Sequence, residues 1–254
     1  MQTLRAYHLL LIDDGSTDGT SEYVKQSIDN CTVIQGKGSW WWAGSLQQGY
    51  KWLKINGGAD DLVLIINDDV VIPSDYLEIG SELMGRKSKS LTYTICYSMQ
   101  TKELFWSGIH IEWRAYSFSP NARKELVNCA STRGLFLRVK DFLEIGGFHP
   151  RLLPQYFSDY EFTYRAFRKG YTFDSSPNLN LLMDESSSGF RSMGSDGLFP
   201  FLKKYFSRKN PSNPLPQLMF VALACPWKYK IKNWFKITEG ASSSIIKHVL
   251  NLWK

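Results

Sequence analysis

Short apolar runs alternate with helical patterns through the first half of the chain, and each apolar run ends in a polar loop. The strand-like runs are Tyr7–Ile12, Cys31–Ile34 and Leu62–Ile66, and the helical patterns are Thr20–Ile28, Ser45–Ile55 and Pro73–Met84. Continuous apolar character in the first and third runs predicts strands that are covered on both faces. The alternation is typical of βαβ units on a parallel sheet, so we expect an α/β fold with ligand-binding loops at the carboxyl ends of the strands.

The pattern changes to β-rich segments from about residue 91. These segments are Leu91–Tyr97, Leu104–Trp113 and Gly134–Val139, and helical patterns follow at Lys140–Ile145 and Asp159–Lys169. Strands in both the first half of the chain and this later part predict a mixed central sheet flanked by helices. The nucleotide-binding part is expected in the first half of the chain.

Charge divides the chain unevenly. Residues 198–254 carry ten Lys or Arg side chains and one acid, which amounts to +9 and leaves −3 for the rest of a chain whose net charge is +6. A Ser- and Gly-rich stretch precedes this region and predicts a flexible loop. We therefore expect an α/β domain at 1–184, a loop at 185–197 and a basic, aromatic helical region at 198–254, with an anionic surface as the neighbour of the last.

Cysteine use and hydropathy predict a cytoplasmic location. The four cysteines are scattered and include no C-x-x-C pair, as in a protein of a reducing compartment. No run reaches the roughly 20 apolar residues that span a bilayer, and no apolar leader is visible at the N-terminus.

The segment Trp227–Lys236 interleaves aromatic residues with lysines. Three interpretations stay open for it: a peripheral position at the inner face of the cytoplasmic membrane, packing against the catalytic domain, or nucleic-acid binding, which no accompanying motif favours.

Acidic residues and glycines follow the first predicted strand. The run Asp13-Asp14-Gly15-Ser16-Thr17-Asp18-Gly19-Thr20 stands between that strand and a helix. A carboxylate here can accept a hydrogen bond from a nucleobase or a ribose hydroxyl, and the glycines let the backbone approach a ligand. The alternative is an ordinary turn in which Thr17 or Asp18 caps the helix.

A second acidic group, Asn67-Asp68-Asp69, follows the third predicted strand. Two adjacent carboxylates repel one another, and a divalent cation explains the pair best because Mg²⁺ and Mn²⁺ prefer oxygen ligands. The alternative is a cap for the helix at Pro73, which needs only one acid.

The third acidic group is Asp159 and Glu161. Carboxylates two residues apart near a helix start point in different directions, so one can face a cleft while the other caps the helix or pairs with Arg165. A carboxylate in the cleft can act as a general base toward an acceptor hydroxyl. The alternative is a pair of acids that only stabilise a helix N-terminus.

These three groups, in this order and on this strand and helix background, resemble the family 2 glycosyltransferases of the GT-A fold over Leu9 to Phe173. Gly146-Gly147-Phe148 followed by Tyr156–Glu161 is similar to the family's "GGF" and acidic-helix signature, and Asn67-Asp68-Asp69 to its D-x-D signature. The resemblance is strongest to a subgroup that builds bacterial surface polysaccharides and often uses a deoxyhexose such as rhamnose. It implies an inverting, metal-dependent transfer of sugar from a nucleotide-diphosphate donor to a glycan or lipid-linked acceptor.

The resemblance also implies roles for individual residues. It makes Asp159 the catalytic base and Asp69 a ligand of Mg²⁺ or Mn²⁺. Donor contacts are expected from the first turn, the D-x-D segment and the loop and helix after the second strand, namely from Asp13, Asp14, Ser16, Asp68, Trp42 and Gln47. Support on the acceptor side is expected from Glu161 and Gly134. Trp40, Trp41 and Trp42 offer flat apolar faces for stacking on a sugar or base, or alternatively pack on the sheet.

Three departures from the family pattern leave a rival interpretation open. The family's "IPTYN" strand and helix are missing before the first strand, so either the N-terminus is truncated or a sheet edge is exposed. Asn67 replaces the first acid of D-x-D. A late metal-binding histidine is replaced by Asp184 and Glu185, and an oxygen ligand from Asp184 is chemically reasonable. The rival is a truncated or degenerate relative that binds a nucleotide or a protein partner without transferring sugar.

Overall fold

The protein is described by a computed structural model that covers residues 2–85, 87–184 and 197–252. Its strands are β1 Leu9–Asp13, β2 Cys31–Gln35, β3 Leu62–Ile65, β4 Val70–Val71, β5 Ser90–Tyr93, β6 Ile95–Ser98, β7 Leu104–Trp106, β8 His110–Glu112, β9 Ser117–Ser119, β10 Leu135–Arg138, β11 Thr172–Asp174 and β12 Asn180–Met183. The helices are α1 Thr20–Ser27, α2 Trp41–Asn56, α3 Tyr76–Met84, α4 Val139–Ile145, α5 Ser158–Arg168, α6 Leu198–Tyr205, α7 Pro214–Ala224 and α8 Trp227–Leu252, and a short 3₁₀ turn spans Lys124–Leu126. The predicted loop at 185–197, which begins with Glu185, lies outside the described residues except for Gly197.

The expected mixed α/β architecture is confirmed. A four-stranded mixed sheet has the order β11-β5-β10-β3, and a second has the order β4-β12-β6-β7. β1 and β2 form a two-stranded parallel sheet, and β8 and β9 an antiparallel hairpin. The prediction that the first three strands share a parallel sheet is wrong for β3, which pairs antiparallel with β10.

The sheet β11-β5-β10-β3 is covered on both faces because its strands alternate between two apolar clusters. Leu135 and Leu137 of β10 point into one cluster with residues of α2, α4 and α5. Phe136, between them, points to the other face and packs against α3. Gly80 of α3 lies so close to the Phe136 ring that an added Cβ would overlap it. Burial on both faces explains why β3 reads as a continuous apolar run.

A third apolar cluster joins the C-terminal helices to the rest of the molecule. Phe220, Val221 and Ala224 of α7 are buried with Trp113 and Tyr164. α7 is apolar on nearly all sides, as expected of a helix enclosed by protein. Part of the basic region thus packs against the preceding domain, as one of the three interpretations anticipated. In the ranges that the structure covers, no helix is both long and apolar enough to cross a bilayer.

Two helix starts differ from the sequence-based prediction by three or four residues, and both have local causes. α2 begins at Trp41, four residues before Ser45, because backbone N–H groups at its start are bonded by the side chain of Asp14. α3 begins at Tyr76 rather than Pro73, after a turn closed by a bond from Tyr76 N to Pro73 O of 3.3 Å.

Candidate active site

Asp13 holds the turn after β1. Its Oδ1 accepts a hydrogen bond of 2.7 Å from Ser16 N, and its Oδ2 accepts one from Ser21 Oγ at the start of α1. The bond from Ser21, followed by that from Ser16, lowers the pKa of Asp13, so the carboxylate stays ionised. Both oxygens therefore stabilise the strand–turn–helix connection, and Ser16 lies exposed on that turn. Donor contacts of Asp13 and Ser16 stay predictions.

Asp14 ties β1 to the start of α2. Its two carboxylate oxygens accept four backbone hydrogen bonds of 2.7 to 3.1 Å, from the N–H groups of Gly38, Ser39, Trp40 and Trp41. The first N–H groups of a helix lack partners within the helix and favour negative charge. Asp14 thus positions the tryptophan loop, and any contact with a donor would be additional to these bonds.

A cavity of about 310 Å³ lies where this loop meets β3 and α5. The residues that line it are Trp42, Asn67, Ser131, Thr132, Arg133, Gln155, Tyr156, Phe157, Asp159, Tyr160 and Pro211. A cavity of similar size, about 340 Å³, lies beside α7 and α8 and has no carboxylate in its lining. The chemistry predicted from the sequence therefore belongs to the first cavity.

Trp42 and Gln47 take different positions on α2. The Trp42 indole N–H donates to Thr132 Oγ1 at 3.2 Å, and the ring lines the cavity. The Gln47 side-chain oxygen accepts a hydrogen bond of 2.6 Å from Phe148 N. Gln47 therefore holds the turn at Gly147 against α2, and its contact with a diphosphate stays a prediction.

Asp159 lies in the cavity wall in the first turn of α5. Desolvation there raises the pKa of its carboxyl to about 6, although a bond from Tyr160 N and the charge of Arg133 act in the opposite direction. The residue before this helix, Phe157, has a φ of 65°. A left-handed conformation is strained for a bulky residue, and such strain is frequent at functional sites. Because its pKa is about 6, the Asp159 carboxylate can take up a proton near neutral pH.

Glu161 points away from Asp159 and is buried. Arg165 Nε and Nη2 each donate to its carboxylate at 2.9 Å, and Arg165 also donates to Ile145 O and Gly147 O at 2.7 Å. This ion pair fastens α5 to the turn after α4. It is the division of the two acids that their spacing predicts, with one acid at the cleft and the other on Arg165.

Gly134 shapes the strand that leads into the cavity. It has a φ of 79°, and an added Cβ would lie 2.6 Å from both Thr94 Oγ1 and Tyr76 Oη. Only glycine suits both the conformation and the close approach. Gly134 thereby lets Thr132 and Arg133 reach the cavity ahead of β10, and its support on the acceptor side stays a prediction.

Asp69 and Asp184 lie opposite each other at the ends of two paired strands. β4 pairs antiparallel with β12, with Val70 opposite Met183, and Asp184 N donates to Asp69 O at 3.3 Å. Directly opposed residues project to the same face, and like charges in that arrangement repel. Gln100 Nε2 donates to Asp184 Oδ1 at 2.5 Å.

Two opposed carboxylates suit a divalent cation. Mg²⁺ and similar cations are commonly held by one or two carboxylates together with water and substrate phosphates. Within the ranges that the structure describes, no cluster of three or more His, Cys, Asp or Glu side chains is arranged to hold a metal. Asp69 and Asp184 are thus a pair of carboxylates, and their role as metal ligands stays a prediction. Asp68 is exposed next to this pair.

Arg133 connects the two groups of acids and was not identified from the sequence. Its Nε lies 3.9 Å from Asp69 Oδ1, and it lines the same cavity as Asp159. The sequence carries no signal for it, because a single arginine before a glycine is common in loops. Arg133 thus lies in the wall of the cavity that Asp159 lines and forms an ion pair with Asp69.

The mixed α/β sheets and their flanking helices match the GT-A fold of nucleotide-sugar transferases. The chain belongs to glycosyl transferase family 2, whose model matches residues 1–146, more than half of its length. Asp159 and Asp184 lie beyond the matched residues. No curated protein sequence matches the chain.

Solved structures with this fold include two transferase complexes. One is GalNAc-T7 with UDP, GalNAc and Mn²⁺, at 13% identity and a TM-score of 0.60, with 97% of this chain and 53% of that chain covered. The other is the mannosyltransferase PcManGT from Pyrobaculum calidifontis with GDP-Man and Mn²⁺, at 14% identity and a TM-score of 0.51, with 96% and 69% covered. The chain thus spans about half of the GalNAc-T7 structure, and at these identities the likeness concerns the fold.

Proposed function

We propose that this chain is an inverting glycosyltransferase that moves a sugar from a nucleotide-diphosphate donor to an acceptor hydroxyl. The observation that carries the proposal is the position of Asp159, a carboxyl with a pKa of about 6, in the same cavity as Asn67 and Arg133. Arg133 in turn lies 3.9 Å from Asp69, which is opposite Asp184. Family membership and the nucleotide, sugar and Mn²⁺ in the two related structures support it.

The chain's residues divide the work of one displacement. Asp159 takes the proton of the acceptor hydroxyl as that oxygen attacks the anomeric carbon. Attack from the face opposite the diphosphate inverts the configuration. Asp69 and Asp184 would hold Mg²⁺ or Mn²⁺, which neutralises charge on the departing diphosphate. Trp42, in the cavity wall, offers its indole face to the sugar or base. Positioning and charge neutralisation supply the rate enhancement.

The acceptor that we propose is a glycan or a lipid-linked glycan in surface polysaccharide synthesis, with a deoxyhexose such as rhamnose as a candidate donor sugar. This part of the proposal rests on the resemblance of the motifs to that subgroup. The test is a panel of UDP-, GDP- and dTDP-linked sugars incubated with the protein and Mn²⁺ or Mg²⁺, with release of the nucleotide diphosphate as the signal. Binding of nucleotides without turnover of any donor would favour the non-catalytic rival.

The pH dependence of the reaction is expected to report Asp159. The base must be ionised, and a pKa of about 6 means that protonation removes activity as the pH falls through that value. We expect kcat/KM for donor hydrolysis to fall about tenfold per pH unit below pH 6, whereas an aspartate with its ordinary pKa near 3.9 would sustain the rate to about pH 4. A rate that stays level from pH 7 to pH 4.5 would contradict Asp159 as the base.

The C-terminal helix supports a proposal about location. Trp227, Ile231 and Phe235 recur at helical spacing on α8 and are 86%, 67% and 71% exposed. The other side of the helix is fastened to the protein by Asn233, which is buried and donates to Trp113 O at 3.0 Å. An outward apolar face on a basic region suits an anionic lipid headgroup layer, where a lipid-linked acceptor would be found. We therefore place the protein on the inner face of the cytoplasmic membrane.

Lysines on α8 contribute to this arrangement from the protein side. Lys230, Lys232 and Lys236 donate to the carbonyls of Ala222, Arg114 and Ala115 at 2.6 to 3.0 Å. They add positive charge near the membrane while anchoring the helix, and the aromatic face remains directed outward.

Vesicle binding is expected to depend on that apolar face. Trp227, Ile231 and Phe235 replaced together by serine should weaken binding to vesicles of phosphatidylcholine with phosphatidylglycerol at least about tenfold, because burial of each side chain contributes roughly 1.5–3 kcal/mol. Cosedimentation measures the change. The matched control is Tyr23→Ser with Ile55→Ser, two side chains equally exposed elsewhere. Unaltered binding of the triple variant would reject the assignment of this face.

A further inference from the structure

Arg133 is a charged residue of the cavity that has no role in the proposed reaction. Its side chain is 28% exposed, and its Nε is buried and donates no hydrogen bond to any described residue. Its Nη1 contacts Met183 Sδ at 2.7 Å. A thioether is a weak acceptor, so neither of these N–H groups has a strong acceptor among the described residues.

The ion pair with Asp69 does not satisfy this guanidinium. The separation of Nε and Asp69 Oδ1 is 3.9 Å, which is beyond hydrogen-bond range. A buried N–H group that lacks a strong acceptor costs free energy. An arginine held in this way at a cavity wall is suited to receive an anion, and a guanidinium matches the geometry of phosphate oxygens with two parallel N–H donors.

Asn67 independently indicates a ligand in this cavity, because it presents an acceptor where Arg133 presents donors. Asn67 lines the same cavity, and its Oδ1 is buried and accepts no hydrogen bond within the described ranges. One unsatisfied donor and one unsatisfied acceptor in a single cavity are complementary to a ligand that carries both an anion and hydroxyl groups. A sugar nucleotide has both, and buried polar groups of this kind are normally paired.

We propose that Arg133 binds the diphosphate of the donor directly, so that an arginine of the chain shares with the cation the task of neutralising the leaving group. This inference rests on the proposed function. It follows from the position of Arg133 between Asp69, at the cation side, and Asp159, at the acceptor side. The chain should therefore retain a part of its diphosphate affinity when no divalent cation is present.

The experiment is a calorimetric titration of the full chain with UDP and with GDP, each in EDTA and in Mn²⁺. The variants are Arg133→Gln, which keeps a polar side chain of similar length, and Arg133→Lys, which keeps the charge but loses the two-pronged geometry. Arg151→Gln removes an exposed arginine elsewhere and is the matched control. Ligand-observed NMR with uridine and guanosine reports binding of the nucleoside alone.

We expect Arg133→Gln to weaken binding of the preferred diphosphate in EDTA by roughly ten- to hundredfold, as for loss of hydrogen bonds between charged groups. Nucleoside binding and the melting temperature should stay as in the unaltered chain. Arg133→Lys should recover part of the affinity, and Arg151→Gln should match the unaltered protein.

The outcomes separate the two claims. Equal diphosphate affinity of Arg133→Gln and the unaltered chain overturns the role of Arg133 and leaves the proposed function standing. A parallel loss of nucleoside affinity and melting temperature also overturns it, because the arginine would then only support the fold. If the unaltered chain binds neither diphosphate in Mn²⁺ nor hydrolyses any sugar nucleotide, the proposed function fails and the inference fails with it.

Discussion

Asp159→Asn is expected to lower kcat for transfer and for donor hydrolysis by about 10²- to 10⁴-fold, the range that a general base contributes. Asparagine has nearly the same shape, but its amide cannot accept a proton from an attacking hydroxyl. The backbone of Asp159 should keep its place, because its carbonyl accepts a bond of 2.8 Å from Thr163 Oγ1 that the change does not touch. Initial rates of nucleotide diphosphate release measure the loss.

In this variant we expect turnover to fall while nucleotide binding and stability stay nearly unchanged. Asp159 is desolvated in the cavity wall, so a neutral amide at this position should leave the melting temperature unchanged or slightly raised. Affinity for UDP or GDP with Mn²⁺ should also persist. Asp29→Asn, an exposed aspartate after α1, is the control for loss of one carboxylate. An Asp159→Asn enzyme with full kcat would show that another group removes the proton.

Asp69→Ala is expected to abolish metal-dependent transfer, with kcat/KM lower by roughly 10²-fold or more, since a bound cation contributes several kcal/mol to stabilising charge in the transition state. Removal of the Asp69 carboxylate leaves only Asp184 of the two opposed acids. The tests are donor turnover and Mn²⁺ binding followed by the electron paramagnetic resonance of the ion in the presence of UDP or GDP.

Two further variants define what Asp69 does. Asp184→Asn should also weaken Mn²⁺ binding, and the double variant should be little worse than either single one, because the two side chains would act as one site. Asp75→Ala, an exposed aspartate before α3 whose side chain makes no cap bond, is the control. Undiminished Mn²⁺-dependent turnover in Asp69→Ala would reject this residue as a ligand.

Local patterns predicted most elements but not how they pair. The continuous apolar run at Leu62–Ile65 reads correctly as a strand covered on both faces, since the signal lies within the run itself. The β-rich segment at residues 91–97 instead divides between two sheets, with β5 in one and β6 in the other. Thr94 lies at the division, and its N–H bonds to Gly134 O at 3.0 Å. A partner 40 residues away cannot be inferred from periodicity.

The acidic groups show the same distinction within the site. Asp159 and Glu161 were separable from spacing alone, because a helix turns by a known angle per residue and Arg165 stands four positions after Glu161. The four backbone bonds to Asp14 were not predictable, since they join the end of β1 to the start of α2 across 24 to 27 residues.

The order of strands, loops and helices, and the presence of acids at strand ends, were determined by the sequence itself, because hydrophobic periodicity and turn chemistry act over a few neighbouring residues. The placement of Asp69 opposite Asp184, and of Arg133 between Asp69 and Asp159, was decided only by the tertiary structure. Those residues lie 26 to 115 positions apart, by the residue numbers, and strand register and the close approach at Gly134 bring them together.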